Sequence, residues 1–119
     1  MGIFILNIGG VEFKTSKSTL ENKDHFFAAF VRNQQYEQSD CIALPFVDRD
    51  PTHFRYILNY MRGSNILPTD PTTLKELRVE ADYYSMNDLV NMLNDKITRD
   101  VIQSIGIEQE LKRIREKLP

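Results

Sequence analysis

The sequence predicts an α+β fold, in which a small sheet of about three strands packs against four to five helices. Three observations predict it. Strand-like apolar runs flank Gly9-Gly10 near the N-terminus, helical spacing of apolar residues dominates the second half, and two Asp-Pro pairs precede helical segments. A length of 119 residues is typical of one domain with its own core.

An N-terminal β-hairpin is the first predicted element. Residues 3–8 are almost continuously apolar, and Gly9-Gly10 can take the positive φ angles of a two-residue turn. Apolar and polar residues then alternate over residues 11–15, which indicates a second strand with one wet face. A third strand is predicted over residues 41–47, where Pro45 marks an edge or a bulge.

Two short helical segments and a loop are expected between these strands. Ser18 and Glu21 have the spacing of a capping box, which opens a short helical turn. The segment DHFFAAFVRN follows and carries aromatic residues on one helical side, and the polar segment NQQYEQSD is predicted to be a loop. Cys41 is expected to be a small buried hydrophobic residue.

The helix after FVDRDP has well-defined predicted ends. Asp50 can cap it, and Pro51 occupies the first helical position, where no backbone N–H is needed. An apolar stripe runs along one face, and Gly63 can close the helix in the left-handed conformation. The stripe comprises Phe54, Ile57, Leu58 and Met61. Capping explains Asp50, whereas the sequence shows no intrachain role for Asp48 or Arg49.

Two further helices are predicted in the second half. Asp70-Pro71 repeats the Asp-Pro start, and Ser85 is the expected cap of the following helix. Their apolar positions are Leu74, Leu77 and Ala81 in the first, and Leu89, Val90, Leu93 and Ile97 in the second.

Composition argues against several classes of protein. A formal net charge of −2, with Lys and Arg scattered along the chain, gives no electrostatic footprint for nucleic acid. A single cysteine excludes an internal disulfide and suits a reducing, cytoplasmic compartment. Apolar runs are far shorter than the roughly 18 residues of a membrane span, and no signal-peptide pattern opens the chain, so no membrane insertion is expected from this segment.

Catalytic and cofactor chemistry is not expected either. His25 and His53 lack the neighbouring ligands of a zinc site, and Gly9-Gly10 is not followed by a phosphate-loop pattern. Asp48 and Asp50 could act as paired carboxylates, but Asp50 is occupied as a cap and no nucleophile accompanies them. The sequence therefore predicts no enzyme, no metal site and no cofactor.

Three segments carry a family resemblance. They are LNIGGVEFKTSKSTL, FVDRDPTHFRYILNYMRGS and LKELRVEADYYSMNDLVNML. Together they closely resemble the tetramerisation-type BTB/POZ domain, which occurs at the cytoplasmic N-terminus of voltage-gated potassium channels and in KCTD adaptor proteins. The resemblance covers about residues 3–97. It divides the chain into a BTB/POZ domain at 1–97 and a C-terminal amphipathic helical extension at 98–119.

The resemblance implies a non-catalytic assembly module that forms a homo-oligomeric ring of four or five subunits. In such a ring, one face of each subunit contacts a different face of its neighbour. The family's charged triplet matches Asp48, Arg49 and Asp50, so Asp48 and Arg49 are expected to pair across a subunit boundary. A solvated loop or an internal salt bridge remains the alternative for these two residues.

Within the family, the details favour an adaptor or scaffold protein that could recruit a cullin 3 ubiquitin ligase. Residues 86–119 contain neither the His nor the Cys of the zinc cluster found in many channel domains. The alternative is the cytoplasmic assembly domain of a potassium channel, which apolar segments beyond Pro119 in the full-length gene would indicate. The expected partner surface comprises Tyr36, Tyr83, Tyr84 and Met86, with completion of the core as the other interpretation of Tyr84 and Met86.

The extension carries an apolar stripe of its own. Ile107, Leu111, Ile114 and Leu118 are spaced by four, three and four residues, which is too short a run to establish a coiled coil. Gly106 interrupts the upstream pattern, so a separate amphipathic helix is expected. Its stripe would pack on the ring, on a partner or within its own chain.

Overall fold

A computed structural model describes residues 2–32 and 41–117 and contains the expected three-stranded sheet. Strands β1 (Ile3–Ile8) and β2 (Val11–Ser16) form the antiparallel hairpin, with Ile8 opposite Val11 next to the turn. Strand β3 (Cys41–Ala43) runs parallel to β1 on its other side, so β1 is central in the order β2-β1-β3. Gly9 and Gly10 take φ angles of +58° and +96°, as the two-residue turn requires.

Five helices complete the described α+β architecture. The short helices α1 (Lys17–Glu21) and α2 (Phe26–Arg32) follow the hairpin, and α3 (Phe54–Met61) follows β3. Helix α4 (Pro71–Tyr83) and the 30-residue helix α5 (Asn87–Glu116) end the described chain. The predicted fold class is therefore confirmed.

The core lies between the inner face of β1 and one face of each later helix. The strand contributes alternate residues, and the helices contribute the predicted stripes. Residues that are fully or almost fully buried include Phe4, Leu6, Ile8, Phe54, Ile57, Leu58, Met61, Leu74, Leu77, Ala81, Leu89 and Leu93.

Aromatic rings join α2, α3 and the end of α4. Phe27 stacks on Tyr84 with ring centroids 5.1 Å apart, and Phe54 meets both rings edge-on at 5.8 and 5.5 Å. The backbone N–H of Phe26 donates to the carbonyl oxygen of Tyr84 at 2.9 Å. This cluster fixes the joint between α4 and α5 against the start of α2.

Several predicted ends differ from the structure. The cap of α1 is Ser16, whose Oγ accepts the backbone N–H of Thr19, and not Ser18. The third helix begins at Phe54, because residues 51–53 form a turn in which Asp50 accepts the backbone N–H of Thr52 at 2.9 Å. Asp50 therefore caps the turn before the helix.

The boundary between α4 and α5 also corrects a prediction. Ser85 makes no side-chain cap for α5; it takes a φ of +57° and closes α4. The backbone N–H of Ser85 donates to the carbonyl oxygen of Asp82, and that of Met86 donates to the carbonyl oxygen of Ala81. These are the two bonds of a Schellman motif. Asp70 caps α4 and Gly63 closes α3, as predicted.

Two further predictions were wrong about the edge strand. Only residues 41–43 of the predicted strand 41–47 form a ladder with β1, although Val47 still donates to the carbonyl of Asn7 at 2.9 Å. Cys41 is exposed, because it pairs with the exposed Ile3 on the face of the sheet away from the core.

The C-terminal extension is not a separate helix. Helix α5 runs unbroken through Gly106, and every residue from 101 to 117 is exposed. The described residues therefore provide no intramolecular cover for its apolar stripe. No helix in residues 2–32 or 41–117 has the length and apolar character needed to cross a membrane.

Candidate interaction surface

The hairpin turn positions the loop that carries the charged triplet. Gly9 donates its backbone N–H to Val47 O at 2.8 Å, and this bond ties the loop at residues 46–50 to the turn. A Cβ atom at Gly9 would lie 2.4 Å from the carbonyl oxygen of Arg49. Glycine is required at this position both by its positive φ and by this close approach of two backbones.

Arg49 joins this loop to α4. Its guanidinium donates from Nε to Glu80 Oε1 at 3.1 Å and from Nη2 to Glu80 Oε2 at 2.5 Å, the two-pronged geometry that favours arginine. The hydrogen bonds to Glu80 raise the pKa of Arg49 above its ordinary value. The expectation that Arg49 has no intrachain role is therefore wrong, and the internal salt bridge is the alternative that the structure contains.

Tyr83 packs on the other side of the same guanidinium. The Cζ atom of Arg49 lies 4.3 Å from the centre of the Tyr83 ring, within the range of a cation–π contact. Carboxylate and ring together hold the Arg49 side chain in one orientation, while 28% of it remains exposed. The result is a preorganised cation at the surface.

The two aspartates of the triplet are exposed on either side of Arg49. Asp50 accepts both the hydroxyl and the backbone N–H of Thr52, and these hydrogen bonds lower the pKa of its carboxyl group. Asp48 lies between Val47, which is buried, and Arg49, which is half-buried. The triplet therefore presents a fixed cation between two exposed anions.

A shallow depression adjoins the triplet. Its volume is about 220 Å³, and Asp50, His53, Glu76, Val79 and Glu80 line it. His53 Nε2 lies 3.3 Å from Glu76 Oε1. Two large apolar side chains, Phe46 in the loop and Val79 on α4, are more than half exposed. We define the loop–α4 surface as residues 46–50, His53, Glu76, Val79 and Glu80.

The structure divides the expected partner residues. Tyr84 and Met86 are 0% and 2% exposed and complete the core, so their assignment to a partner surface was wrong. Tyr83 is 41% exposed beside Arg49, because it lies one residue before Tyr84 and so on a different side of the helix end. Tyr36 lies outside the described residues.

Sequence reasoning missed Phe46, Val79 and Glu80. Val79 could have been found, because it falls off the buried Leu74–Leu77–Ala81 stripe of α4 and so must face outward. Glu80 could not, because its partner Arg49 is 31 residues away in the sequence.

The loop–α4 surface combines charged and apolar groups. Its polar groups are charged pairs and hydrogen-bonded carboxylates, and its apolar groups are exposed next to them. In the part of the chain that the structure describes, no three His, Cys, Asp or Glu side chains are grouped to hold a metal ion.

The chain is similar to a known protein family. A protein-family model for the BTB/POZ domain matches residues 4–93. Human BTB/POZ domain-containing protein KCTD21 is 38% identical over 93 residues, which cover 76% of this chain and 36% of that protein. Human BTB/POZ domain-containing protein KCTD3 is 36% identical over 89 residues, covering 74% of this chain and 11% of that protein.

A plant protein is similar over a longer stretch. The FH protein interacting protein FIP2 of Arabidopsis thaliana is 37% identical over 113 residues, which cover 92% of this chain and 36% of that protein. The chain thus spans about a third of the length of KCTD21 and of FIP2.

Proposed function

Because the chain belongs to the BTB/POZ family, we propose that it assembles with copies of itself through the loop–α4 surface, as the interaction domain of an adaptor or scaffold protein. The observation that carries this proposal is the family match over residues 4–93, which includes all but the first residue of β1, the charged triplet and α4. A protein-interaction or oligomerisation role follows from family membership itself. The face used and a ring of four or five subunits are the finer parts of the proposal.

The geometry of Arg49 supports the choice of face. Two of the five N–H donors of its guanidinium are used by Glu80, and the exposed part of the group can accept a carboxylate from a neighbouring subunit. The side chain is already held by Glu80 and Tyr83, so little further conformational entropy is lost on binding. Asp48 is exposed beside it and would pair with a cation of the neighbour.

Such contacts join two different faces, which suits a ring. A heterologous contact generates a closed ring when the rotation from one subunit to the next is a whole fraction of 360°. Each subunit then uses both faces once. The loop–α4 surface would be one of these two faces. Rings of four and of five both satisfy this geometry.

A charge exchange separates the intrachain role of Arg49 from its role between subunits. Arg49→Glu alone places two carboxylates together and destabilises the chain, whereas Arg49→Glu combined with Glu80→Arg restores the internal pair. We expect the exchanged variant to unfold near the wild-type temperature but to assemble more weakly. Assembly is measured by light scattering on dilution.

A matched control uses an ion pair outside the loop–α4 surface. Lys17 and Glu21 on α1 are 3.5 Å apart, and exchanging their charges should leave the oligomer mass unchanged. An Arg49–Glu80 exchange that keeps both the wild-type melting temperature and the wild-type dissociation on dilution would exclude this surface from assembly.

Asp48→Lys provides a second test that does not disturb the Arg49–Glu80 pair. Because Asp48 is exposed, its reversal should leave the unfolding temperature of the chain within a few degrees of wild type while weakening assembly. Sedimentation velocity over a range of concentrations measures the effect.

Recruitment of cullin 3 is the second proposed function, and the exposed Tyr83 supports it. An aromatic anchor rimmed by charged groups is typical of a helix-docking surface. Tyr36→Ala should weaken binding to the cullin 3 N-terminal domain while the oligomer mass stays the same. Tyr83→Ala should weaken cullin binding and assembly together, because the Tyr83 ring also holds Arg49. Calorimetry that detects no heat for the wild-type oligomer at tens of micromolar would leave the assembly role alone.

A further inference from the structure

The last part of α5 projects an uncovered apolar stripe. We define the α5 tail as residues 101–117, all of which are exposed. It is about 25 Å long at the usual rise of an α-helix. Ile107, Leu111 and Ile114 are 55%, 51% and 51% exposed. An aligned set of such side chains on one helix indicates a contact surface.

The spacing of these residues fixes a heptad frame. The interval of four residues from Ile107 to Leu111, followed by three to Ile114, makes Leu111 an a position and both isoleucines d positions. Leu118, outside the described residues, continues the spacing in the sequence. We call this stripe of Ile107, Leu111 and Ile114 the seam, because its spacing is the one found between helices packed side by side.

We propose that this seam packs against the same seam on other copies of the chain, in a parallel bundle of more than two helices. The inference rests on the proposed self-assembly, because rotation about one ring axis leaves the direction of each α5 tail along that axis unchanged, so the tails run the same way along it. In a dimer whose two-fold axis is perpendicular to the helices, the two tails would be antiparallel instead.

The charges beside the seam fit the parallel arrangement. Glu110 occupies a g position and Arg115 the e position of the next heptad, and parallel neighbours bring such g and e' residues together. Within one chain, Glu110 Oε2 lies 3.2 Å from Arg113 Nη1 on the exposed helix. That pair is worth little in water, so Glu110 can exchange it for Arg115 of a neighbour.

The seam residues also select against a two-stranded coil. Leucine at a with isoleucine at d favours three or four strands, whereas a β-branched a residue with leucine at d favours two. Two heptads are too few for an independent coiled coil in water. Tethering to an oligomer removes this difficulty, because it raises the effective concentration of one tail near another.

Disulfide trapping tests the seam directly. In a Cys41→Ser background, Ile114→Cys places a thiol at a d position, and Gln109→Cys places one at the f position on the opposite side. A disulfide requires Cβ atoms about 4 Å apart. Under mild oxidation we expect Ile114→Cys chains to become linked within the oligomer and Gln109→Cys chains to remain largely separate.

The outcomes separate this inference from the proposed function. An intact oligomer in which Ile114→Cys links no better than Gln109→Cys would overturn the seam and leave self-assembly standing. A monomeric protein would overturn both. Linkage that is specific to Ile114→Cys and reaches the same extent when the protein is diluted before oxidation supports the seam.

A charge-rescue experiment tests the parallel pairing. Adding Arg115→Glu to the Ile114→Cys protein should lower the linked fraction by about two- to fivefold, the effect of losing an exposed ion pair. Adding Glu110→Arg as well should restore it, because the g–e' pair is then reversed in sign and complete. If Glu110→Arg combined with Arg115→Glu does not restore the linked fraction, the parallel pairing of Glu110 with Arg115 is excluded.

Discussion

Gly9 serves the hairpin turn and the charged loop at the same time. A methyl group there would meet the Arg49 carbonyl at 2.4 Å, whereas a methyl group at Gly10 has nothing within 4 Å. Both positions have positive φ, so the neighbouring glycine is a matched control for backbone strain. We expect Gly9→Ala to lower the free energy of unfolding by about 2–4 kcal/mol and Gly10→Ala by about 1 kcal/mol. Urea denaturation giving equal losses would show that the contact with Arg49 does not matter.

The start of α2 is stabilised by the neutral form of the buried His25 ring. Its Nδ1 accepts the backbone N–H groups of Phe27 and Ala28 at 3.1 and 3.3 Å, and burial lowers the pKa of the ring to about 4. Arg32 and Lys23 lower this pKa further, and Asp24 opposes them. Between pH 6.5 and 4 the unfolded chain binds a proton at this residue that the folded chain does not, so stability falls as the pH falls through this window.

Replacing His25 by a residue that caps without titrating isolates this effect. Asn can accept the same helix N–H groups. From pH 6.5 to 4, we expect the wild type to lose on the order of 1–3 kcal/mol more unfolding free energy than His25→Asn. Denaturation curves at the two pH values measure the difference. Equal losses in the two proteins would show that folding does not lower the pKa of His25.

At the residue scale, a contact could be predicted from the sequence only when its two residues lie close together in the chain. The Asp70 cap and the Gly63 helix end were predicted because their partners lie within a few residues. Arg49 was expected to pair across a subunit boundary, with an internal salt bridge only as the alternative, because nothing local marks Glu80 as its acceptor. The burial of Tyr84 and the exposure of Tyr83 likewise depend on how α2, α3 and α4 meet.

At the element scale, the strands and apolar helical stripes were predictable, and several ends were not. Ser16 and Ser18 both suit a helix cap, and the choice of Ser16 depends on where β2 ends. Ser85 was expected to start α5 but closes α4, since two helices meet there and one residue must reverse the chain. Gly106 lowers helix propensity, yet one weak position does not break a long helix.

Gly106 therefore offers an element-scale prediction. It lies in the exposed part of α5, and a Cβ atom there would meet nothing within 4 Å. Gly106→Ala should stabilise the tail by about 0.5–1 kcal/mol. Amide hydrogen exchange over residues 107–117 should slow by about two- to fivefold, while exchange in β1 stays the same. An unchanged rate in the tail would contradict a continuous helix through residue 106.

At the scale of the whole molecule, the described residues form one core, and two of the apolar features that they leave at the surface concern assembly. One is the loop–α4 surface, with Phe46 and Val79 beside the Arg49–Glu80 pair, and the other is the seam of the α5 tail. Both are explained if the working form contains several copies of the chain. The family relationship could be predicted from sequence because its motifs are local, whereas the number of copies depends on an angle between subunits that no local pattern encodes.

The mass of the protein in solution tests this central claim most directly. Light scattering at micromolar concentration should give four or five times the 13.9 kDa of one chain, and the mass should be lower for Asp48→Lys under the same conditions. A wild-type mass of 13.9 kDa that does not rise when the protein is concentrated would contradict self-assembly.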